Sequence, residues 1–300
     1  MNDHVCAVIV TYHPDPDFAE HLLHLRPQVG GLVVVDNRSD DSELLKLRDL
    51  AVRCSFTLLE NWDNLGIGSA LNRGIQWAAA EGRFEYVVLF DQDSEASEGF
   101  VSALLTSLQN HPSKNDVALV APRIYNRNTA SFDGPKGVRR GQFLVAQTSG
   151  SLMPLSVFES EGCFLDELFI DYVDYEFCLR AVARGWATHY CDEAELSHAP
   201  GNSQRHTLFS VYLGTTGNYS AIRHYYLMRN GTWVLRKYWK RHTLWCAKQA
   251  LIIFKEITKV LILESDRLAK SRLAIRGLAD GLREKFGRLE IPSKEGGPNK

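Results

Sequence analysis

The sequence predicts an α/β fold in which a Rossmann-like, mostly parallel sheet is flanked by helices and followed by a basic helical C-terminal extension. Three observations support this prediction. Apolar runs rich in β-branched residues alternate with helix-like segments through the first 121 residues. Those runs are continuously apolar, which is typical of strands buried on both faces of a sheet. The chain has 300 residues and 45% hydrophobic content, enough for one large domain and an appendage.

The first part of the chain predicts five strands separated by four helices. The strands span residues 5–11, 32–36, 56–60, 86–90 and 117–121. The helices span residues 18–25, 42–52, 66–80 and 99–110. The second helix is preceded by Ser39, Asp40 and Asp41, which are residue types that cap helix N-termini. We expect right-handed connections between the parallel strands.

The alternation changes after residue 121. A polar stretch covers residues 126–140 and a mixed segment covers 142–154. A helix is predicted over 172–183 and ends at Gly185, because glycine commonly follows the last residue of a helix. Short strands are predicted at 186–190 and 195–198, and residues 201–300 are predicted to be helical and basic.

Charge and cysteine content restrict the partners and the compartment. Residues 1–200 carry 15 Lys and Arg against 29 Asp and Glu, whereas residues 201–300 carry 19 against 7. The acidic part does not suit nucleic acid, and the basic part suits an anionic surface. The six cysteines lack C-x-x-C spacing, which predicts free thiols in a reducing compartment. Residues 1–4 resemble no signal sequence, so we expect a cytoplasmic protein rather than a secreted one.

Polar residues follow three of the predicted strands. Thr11 and Tyr12 end the first strand, Asp36 ends the second, and Asp91 and Asp93 follow the fourth. In open α/β sheets the ligand binds at the carboxyl ends of the strands, so these residues are expected to share one sheet edge. Two carboxylates two residues apart can hold one Mg²⁺ or Mn²⁺, which would neutralise charge on a departing diphosphate. Aspartyl phosphatases also use D-x-D, but normally after the first strand.

These motifs resemble the GT-A members of glycosyltransferase family 2, and within it the bacterial rhamnosyltransferases of cell-surface polysaccharide synthesis. The resemblance rests on residues 10–14, 33–39, 61–72 and 91–93 in that order. It implies that Thr11 and Tyr12 frame the nucleotide base and that Asp36 pairs with its imide. It also implies that the remaining donor-site residues, among them the metal ligands, are Asn64, Arg73, Asp91 and Asp93. Many members carry Arg where this chain has Leu71, next to Asn72.

The same resemblance assigns residues in the second part of the chain. Asp174, at the start of the helix over 172–183, is the expected base that takes the proton of an acceptor hydroxyl. The alternative is that Asp174 and Asp171 only cap that helix. His198 is the expected third metal ligand, and Asp171, Ser149 and Gly150 are expected on the acceptor side.

The predicted activity is inverting, metal-dependent transfer of L-rhamnose from dTDP-rhamnose to a lipid-linked saccharide, as in O-antigen synthesis. By this interpretation residues 1–121 form the donor-binding half, 122–200 the acceptor and catalytic half, and 201–300 a basic helical region. Residues 233–263 interleave Trp with Lys and Arg, which suits either the membrane interface or a second subunit. Two alternatives stay open: a galactofuranosyl or hexosyl transferase, and a non-catalytic nucleotide-sugar-binding scaffold.

Overall fold

The computed structural model describes residues 2–128, 130–133, 143–198, 204–208 and 211–290. The predicted polar stretch and the mixed segment after it lie partly outside these residues. The strands are β1 (Asn2–Thr11), β2 (Val29–Asp36), β3 (Thr57–Glu60), β4 (Tyr86–Asp91), β5 (Glu95–Ala96), β6 (Val117–Asn126), β7 (Ser131–Asp133), β8 (Leu152–Pro154), β9 (Ala187–His198), β10 (Gln204–Leu208) and β11 (Val211–Thr216). The helices are α1 (Phe18–Leu25), α2 (Asp41–Cys54), α3 (Ile67–Ala80), α4 (Phe100–Gln109), α5 (Leu155–Glu161), α6 (Val173–Ala183), α7 (Ala221–Tyr238), α8 (Thr243–Leu263) and α9 (Arg267–Leu282).

One mixed sheet organises the molecule. Its strand order is β3-β2-β1-β4-β8-β6-β9-β5, with β7 paired to the outer part of β6. The strands β3, β2, β1 and β4 pair in parallel, while β8 lies antiparallel between β4 and β6. The predicted α/β fold is confirmed, and the parallel pairing is concentrated in the first half of the chain. The short strand β8 was not predicted. The prediction of helix from residue 201 onward is wrong for β10 and β11, which form a separate antiparallel pair before α7 begins.

Helices cover both faces of this sheet because the central strands are apolar on both sides. In β1, Val5, Ala7 and Ile9 face a core built with α1, α2 and α4, whereas Cys6, Val8 and Val10 face a core built with α3, α5 and α6. This alternation follows from the two-residue period of a strand. A continuous apolar run therefore needs a helix layer on each side, as the sequence predicts.

Strand β9 runs from Ala187 to His198, and its end lies beside the loop that follows β4. The two short strands predicted at 186–190 and 195–198 are one strand, which pairs in parallel with β6 and shifts register near Pro122 and Arg123. Its last residues pair with β5, where Glu95 lies opposite Ser197. This pairing carries the end of β9 to the loop that follows β4.

The C-terminal helices pack on one another and on α6. Helix α9 approaches α7 closely, since a side chain at Gly277 would collide with the Tyr225 carbonyl oxygen of α7. The buried Glu176 of α6 accepts hydrogen bonds from Lys237 (3.0 Å) and Tyr238 (2.9 Å) of α7. In the part of the chain that the structure describes, no helix is both long enough and apolar enough to cross a bilayer.

Candidate active site

A cavity of about 990 Å³ opens at the carboxyl ends of the central strands. Its walls come from the ends of β1 and β4, the residues around α6, the end of β9, and the helices α7 and α8. Of the residues predicted for the site, those lining it are Tyr12, Asn64, Asp91, Asp93, Ser149, Asp171, Asp174 and His198. This is the sheet edge at which an α/β fold binds its ligand.

Asp91, Asp93 and His198 form a compact group of oxygen and nitrogen ligands. One ligand atom from each lies within 4.8 Å of the other two, and His198 Nδ1 is 3.3 Å from Asp93 Oδ1. Asp91 ends β4, and the β5–β9 pairing brings His198 to it. Two carboxylates and one imidazole suit Mg²⁺ or Mn²⁺. The residues therefore fit a divalent cation, which the D-x-D spacing predicts for Asp91 and Asp93 and the family resemblance implies for His198.

Electrostatic strain within this group also favours a cation. Burial, together with the negative charge of Asp93, raises the pKa of Asp91. Burial opposes the charging of His198, but the hydrogen bond that it donates to Asp93 and the charges of Asp93 and Asp91 outweigh burial, so the pKa of His198 is raised. Asp91 is thus buried beside a second negative charge, and His198 is buried beside two carboxylates. A bound divalent ion would relieve the repulsion between the two carboxylates.

A second acidic group has a simpler explanation. His13, Asp40 and Glu43 also offer ligand atoms within 4.8 Å of one another. Glu43 closes the capping box of α2 by accepting from the Asp40 amide (3.0 Å), and it contacts His13 Nδ1 at 2.7 Å. His13 and Asp40 are exposed. This group is therefore a helix cap at the surface.

Asp174 lines the cavity from the first turn of α6. Burial raises its pKa to about 7, with further contributions from the charges of Asp171 and Asp91, although the Tyr175 amide donates to Asp174 Oδ1 at 2.8 Å. A carboxylate with a pKa near neutrality can accept a proton and release it at physiological pH. Asp174 thus has the properties of a general base, and its helix-terminal position alone would not require them.

Asp171 contacts a cation from the C-terminal region. Its Oδ1 lies 3.2 Å from Nη2 of Arg223 in α7, while its Oδ2 is buried and finds no hydrogen-bond partner among the described residues. Burial raises the pKa of Asp171, and Arg223 opposes that rise. A buried acceptor without a partner is costly unless a ligand satisfies it. Asp171 therefore keeps one unsatisfied acceptor atom beside the cavity, and its contact with an acceptor sugar stays a prediction.

Of the three residues predicted to contact the nucleotide base, Tyr12 lines the cavity, whereas Thr11 and Asp36 do not. Tyr12 is 46% exposed at the cavity rim, and its amide donates to Gln92 Oε1 at 2.7 Å. Asp36 is fully buried and accepts from Thr11 Oγ1 (3.0 Å) and from the amide (2.8 Å) and hydroxyl (2.5 Å) of Ser39. In this conformation Asp36 and Thr11 fix the loop after β2 rather than line the cavity. Their contact with a base stays a prediction.

Two further predicted donor-site residues, Asn64 and Arg73, differ in whether they reach the cavity. Asn64 lines the cavity, and its Oδ1 accepts from Asn37 Nδ2 at 2.9 Å and from the Gly66 amide at 3.0 Å. Arg73 instead donates to the Glu60 carbonyl at 2.7 Å and to Asn61 Oδ1 at 2.5 Å. The structure does not bring Arg73 to the cavity, because these acceptors hold its guanidinium beside β3. Its diphosphate contact stays a prediction.

The predicted acceptor-side turn supports the metal group. Ser149 lines the cavity, and its Oγ accepts from the Asp91 amide at 3.1 Å and contacts Ser94 Oγ at 2.8 Å. Gly150 has a φ of +74°, and a side chain there would meet Pro122, Leu196 and Phe100 at 2.8 to 3.1 Å. Gly150 therefore packs into the core, and of the two only Ser149 faces the cavity.

Four cavity residues come from the C-terminal region and were not predicted. They are Tyr219, Arg223, Leu227 and Gln249. Arg223 stacks over the Tyr219 ring at 4.1 Å, and Gln249 Nε2 donates to the Tyr172 hydroxyl at 3.1 Å. The sequence offered only the basic character of residues 201–300 as a signal. The structure shows that α7 and α8 complete the cavity wall.

Residues 6–165 match the sequence profile of Glycosyl transferase family 2, which is more than half of the chain. The chain belongs to glycosyltransferase family 2. The match includes Asp91 and Asp93, whereas Asp174 and His198 lie beyond it.

Two curated proteins are similar in sequence to this family 2 enzyme. The chain is 28% identical to the dTDP-rhamnosyl transferase RfbF of Shigella flexneri over 301 residues, covering 94% of this chain and 97% of that protein. It is 26% identical to the low-salt glycan biosynthesis hexosyltransferase Agl10 of Haloferax volcanii, covering 71% of this chain and 73% of that protein. Both relatives are named as glycosyltransferases, in agreement with the family match that makes this chain a glycosyltransferase.

Solved structures show the same fold. The S. aureus TarS fragment 1–349 superimposes with a TM-score of 0.59 at 12% identity, covering 95% of this chain and 82% of that one. GalNAc-T7, solved with UDP, GalNAc and Mn²⁺, superimposes with a TM-score of 0.58 at 11% identity, covering 93% of this chain and 56% of that one. This glycosyltransferase therefore has the GT-A fold, as its motifs predict.

Proposed function

We propose that this glycosyltransferase transfers L-rhamnose from dTDP-rhamnose to a saccharide hydroxyl, with inversion at the anomeric carbon and dependence on a divalent metal. The donor assignment is supported by the similarity to RfbF, which extends over 94% of this chain. The reaction type is supported by one observation: Asp91, Asp93 and His198 line the same cavity as Asp174. A candidate metal site and a candidate base in one cavity support a single displacement, which needs a stabilised leaving group and a proton acceptor.

The proposed reaction is one displacement. The acceptor oxygen forms a bond to the anomeric carbon while the bond from that carbon to the diphosphate oxygen breaks. The hydroxyl proton passes to an Asp174 carboxylate oxygen, and the diphosphate leaves with the electron pair of the broken bond. Because no enzyme group bonds to the sugar in this scheme, the configuration inverts. Asp174 suits the role, since its pKa of about 7 lies near the working pH.

Asp91, Asp93 and His198 are the residues that would hold the metal. When bound, a divalent ion supplies Lewis-acid stabilisation of the departing diphosphate. Ser149 and Ser94 orient the loop that carries the two carboxylates, through the Asp91 amide and the 3.2 Å contact of Ser94 Oγ with His198 Nδ1. These contacts fix the ligands before the ion binds.

Asp171 is proposed to bind the acceptor. Its Oδ2 is a buried acceptor atom at the cavity wall, and Asp174 lies three residues further along the chain. A sugar hydroxyl that donates to Asp171 would be held close to the base. Positioning of this kind can contribute several kcal/mol to a transfer reaction, roughly 7–11 in favourable cases.

The test is a panel of nucleotide sugars incubated with the enzyme, Mn²⁺ or Mg²⁺, and a saccharide acceptor. We expect nucleoside diphosphate release from dTDP-rhamnose to exceed release from UDP-galactofuranose and UDP-hexoses. A preference for either of those donors would replace the rhamnosyl assignment with the galactofuranosyl or hexosyl one, and Agl10 is named as a hexosyltransferase. Binding without turnover of any donor would support the scaffold alternative. The anomeric configuration of the product tests inversion.

We further propose that the acceptor is lipid-linked and that α8 lies against an anionic membrane surface. The outward face of α8 exposes large apolar side chains: Leu244 is 88% exposed, Phe254 68% and Ile262 65%. Leu251 is exposed on the same side. These residues are separated by seven, three and eight positions, so they share one helix face. An exposed apolar stripe of this length is typical of an interaction surface.

Lysines flank this stripe, which favours lipid over a second copy of the chain. Lys248, Lys255 and Lys259 follow the same helical spacing along one edge of it, and the acidic Glu256 is paired with Lys259 at 2.6 Å. Two copies joined through this face would bring like charges together, whereas anionic headgroups would complement them. Of the three tryptophans in residues 233–263, Trp233 packs on Phe286 and Trp245 on Tyr175, whereas Trp239 is 46% exposed at the end of α7.

Flotation with vesicles of phosphatidylglycerol and phosphatidylcholine tests this surface. The intact chain should float with the anionic vesicles, and Phe254→Glu or Leu251→Glu should abolish flotation without changing turnover of a soluble acceptor. A concentration-dependent dimer that these substitutions dissociate, with no flotation of the wild type, would assign the face to a second subunit and overturn the membrane proposal.

A further inference from the structure

Three consecutive residues of α7 contact the segment that leads into Asp174. They are Arg229, Asn230 and Gly231. The segment covers residues 167–172, and it carries Asp171 and Tyr172 into the cavity wall. We propose that Arg229 and Asn230 are positioning residues of the transfer reaction, which hold the peptide groups of this segment so that Asp171 and Asp174 keep their places in the cavity. The inference rests on the proposed function, because it takes Asp174 as the base.

Asn230 is bonded to three peptide groups of the segment. Its side chain is fully buried, and Nδ2 lies 2.8 Å from the Leu168 carbonyl oxygen, 2.7 Å from that of Ile170 and 2.9 Å from that of Asp171. An amide group has two donor hydrogens, so these carbonyls converge on one nitrogen and share them. One side chain thereby fixes the course of four residues, ending at Asp171.

Arg229 supports the same segment and orients Asn230. It is fully buried, its Nη2 donates to the carbonyls of Glu167 (3.1 Å) and Leu168 (2.8 Å), and its Nε donates to Asn230 Oδ1 at 2.8 Å. Burial lowers the pKa of Arg229. Burying a guanidinium is expensive, and an apolar residue of similar size usually stabilises a core as well or better. The arginine therefore points to a need for directed hydrogen bonds at this place.

The segment needs such bonds because its backbone is strained. Phe169, Asp171 and Tyr172 have φ angles of +65°, +62° and +65°. Residues with side chains rarely adopt such angles, and they persist only where the surroundings impose them. Gly231 completes the contact, because a side chain there would lie 3.0 Å from the Tyr172 ring and hydroxyl. Helix α7 thus supports both ends of the strained stretch.

The experiment compares Asn230→Leu and Arg229→Lys with the wild type. Asn230→Leu keeps the volume and removes the donors, and Arg229→Lys keeps the charge but removes the guanidinium geometry. The matched control is Arg236→Ala, since Arg236 also lies on α7 and donates to a carbonyl of the C-terminal region, that of Leu282 at 2.7 Å, at a distance from the segment. Each variant is assayed for kcat and for donor KM, for Mn²⁺-dependent dTDP binding, for Tm and for the pH dependence of kcat.

We expect Asn230→Leu to lower kcat about 100-fold with little change in donor KM or dTDP affinity, because misplacing a reacting group by an ångström costs about that much. Arg229→Lys should also lower kcat, by about tenfold. The acidic limb of the kcat profile should move down by about half a pH unit or more in both, since Asp174 regains solvent. If Arg229 and Asn230 only stabilised the fold, the two substitutions would lower Tm and leave the acidic limb of the kcat profile at its wild-type pH.

Two results would overturn the inference. The first is that Asn230→Leu or Arg229→Lys folds and has the same kcat and the same pH profile as the wild type. The second is a loss of kcat in Arg236→Ala equal to that in the two test variants. Asp174→Asn is assayed in parallel: if it keeps full turnover, the proposed function fails as well, whereas an inactive Asp174→Asn with active Asn230→Leu refutes only the positioning role. Should Asn230→Leu not fold, Arg229→Lys decides the question by the same readouts.

Discussion

The imidazole of His198 lies 3.3 Å from the carboxylate of Asp93, although the two residues are in different halves of the chain. Asp93 follows β4, and His198 ends β9. The two-residue strand β5 begins two residues after Asp93, and its pairing with the end of β9 brings His198 beside Asp93. The candidate metal ligands are therefore brought together by strand pairing.

Removal of a metal ligand should weaken the metal dependence specifically. Asp93→Asn takes one anionic oxygen from a group of three ligands, so we expect the Mn²⁺ concentration for half-maximal activity to rise about 100-fold. The measurement is a Mn²⁺ titration of nucleoside diphosphate release after treatment with EDTA. Asp192→Asn is the control, because Asp192 is exposed on the same strand as His198. Full activity in EDTA would contradict the metal assignment.

Asp174→Asn should abolish transfer while leaving donor binding intact. A general base contributes typically 10²- to 10⁴-fold, so we expect kcat to fall by about 1000-fold with dTDP affinity unchanged. Nucleotide affinity is measured by calorimetry, and turnover by diphosphate release. Asp116→Asn serves as the control, since Asp116 is exposed and outside the cavity. Equal losses in both variants would show that the effect is not catalytic.

The same substitution should stabilise the fold at alkaline pH. The pKa of Asp174 is raised to about 7 in the folded chain, above its unfolded value, so the folded state binds the proton more tightly. Stability is therefore lost as the pH rises from the unfolded pKa through about 7. Asp174→Asn, which carries no charge, should gain about 2 kcal/mol at pH 8 over the wild type. The gain should vanish near pH 4, as followed by urea denaturation.

Activity should decline as the pH falls below about 7. The base acts only when deprotonated, and the charge of Asp171 helps to raise the pKa of Asp174. Asp171→Asn removes that charge and leaves Arg223 unpaired near the cavity, and both changes favour the carboxylate form of Asp174. The acidic limb of the kcat profile should therefore shift to lower pH in Asp171→Asn. A shift to higher pH would exclude Asp174 as the titrating group.

The predicted site residues that the structure places at the cavity were found mainly from local patterns. Asp91 and Asp93 follow a buried strand, and such residues reach the carboxyl edge of a sheet whatever the rest of the chain does. His198 was placed by its position in a resembling motif, and the structure brings it to Asp93. The central strands and helices were also recognisable, because each is long and has continuous or periodic apolar residues.

The parts that the sequence did not predict depend on tertiary contacts. Asp36 is the last residue of β2, yet its carboxylate accepts hydrogen bonds from Thr11 and Ser39 and does not line the cavity. Arg73 lies on a predicted donor-site helix, yet it bonds to carbonyl and amide oxygens beside β3. Arg223 enters the cavity from a region whose composition indicated only basic helices. A side chain's partner is set by which segments pack together, and a periodic pattern does not specify that.

The junction of α8 and α9 contains a buried ion pair whose disruption should be costly. Lys270 Nζ lies 2.7 Å from Glu264 Oε2, and the two side chains are 6% and 2% exposed. Lys270→Met leaves the Glu264 carboxylate buried without its cation, so we expect a loss of about 3–5 kcal/mol in the free energy of unfolding. Lys259→Met, which opens the exposed pair with Glu256, should cost less than about 1 kcal/mol. Urea denaturation gives both values, and Lys270→Met combined with Glu264→Leu should recover most of the loss because no charge is then left unpaired. Equal costs for the two single substitutions would show that the buried pair contributes no more than a surface one.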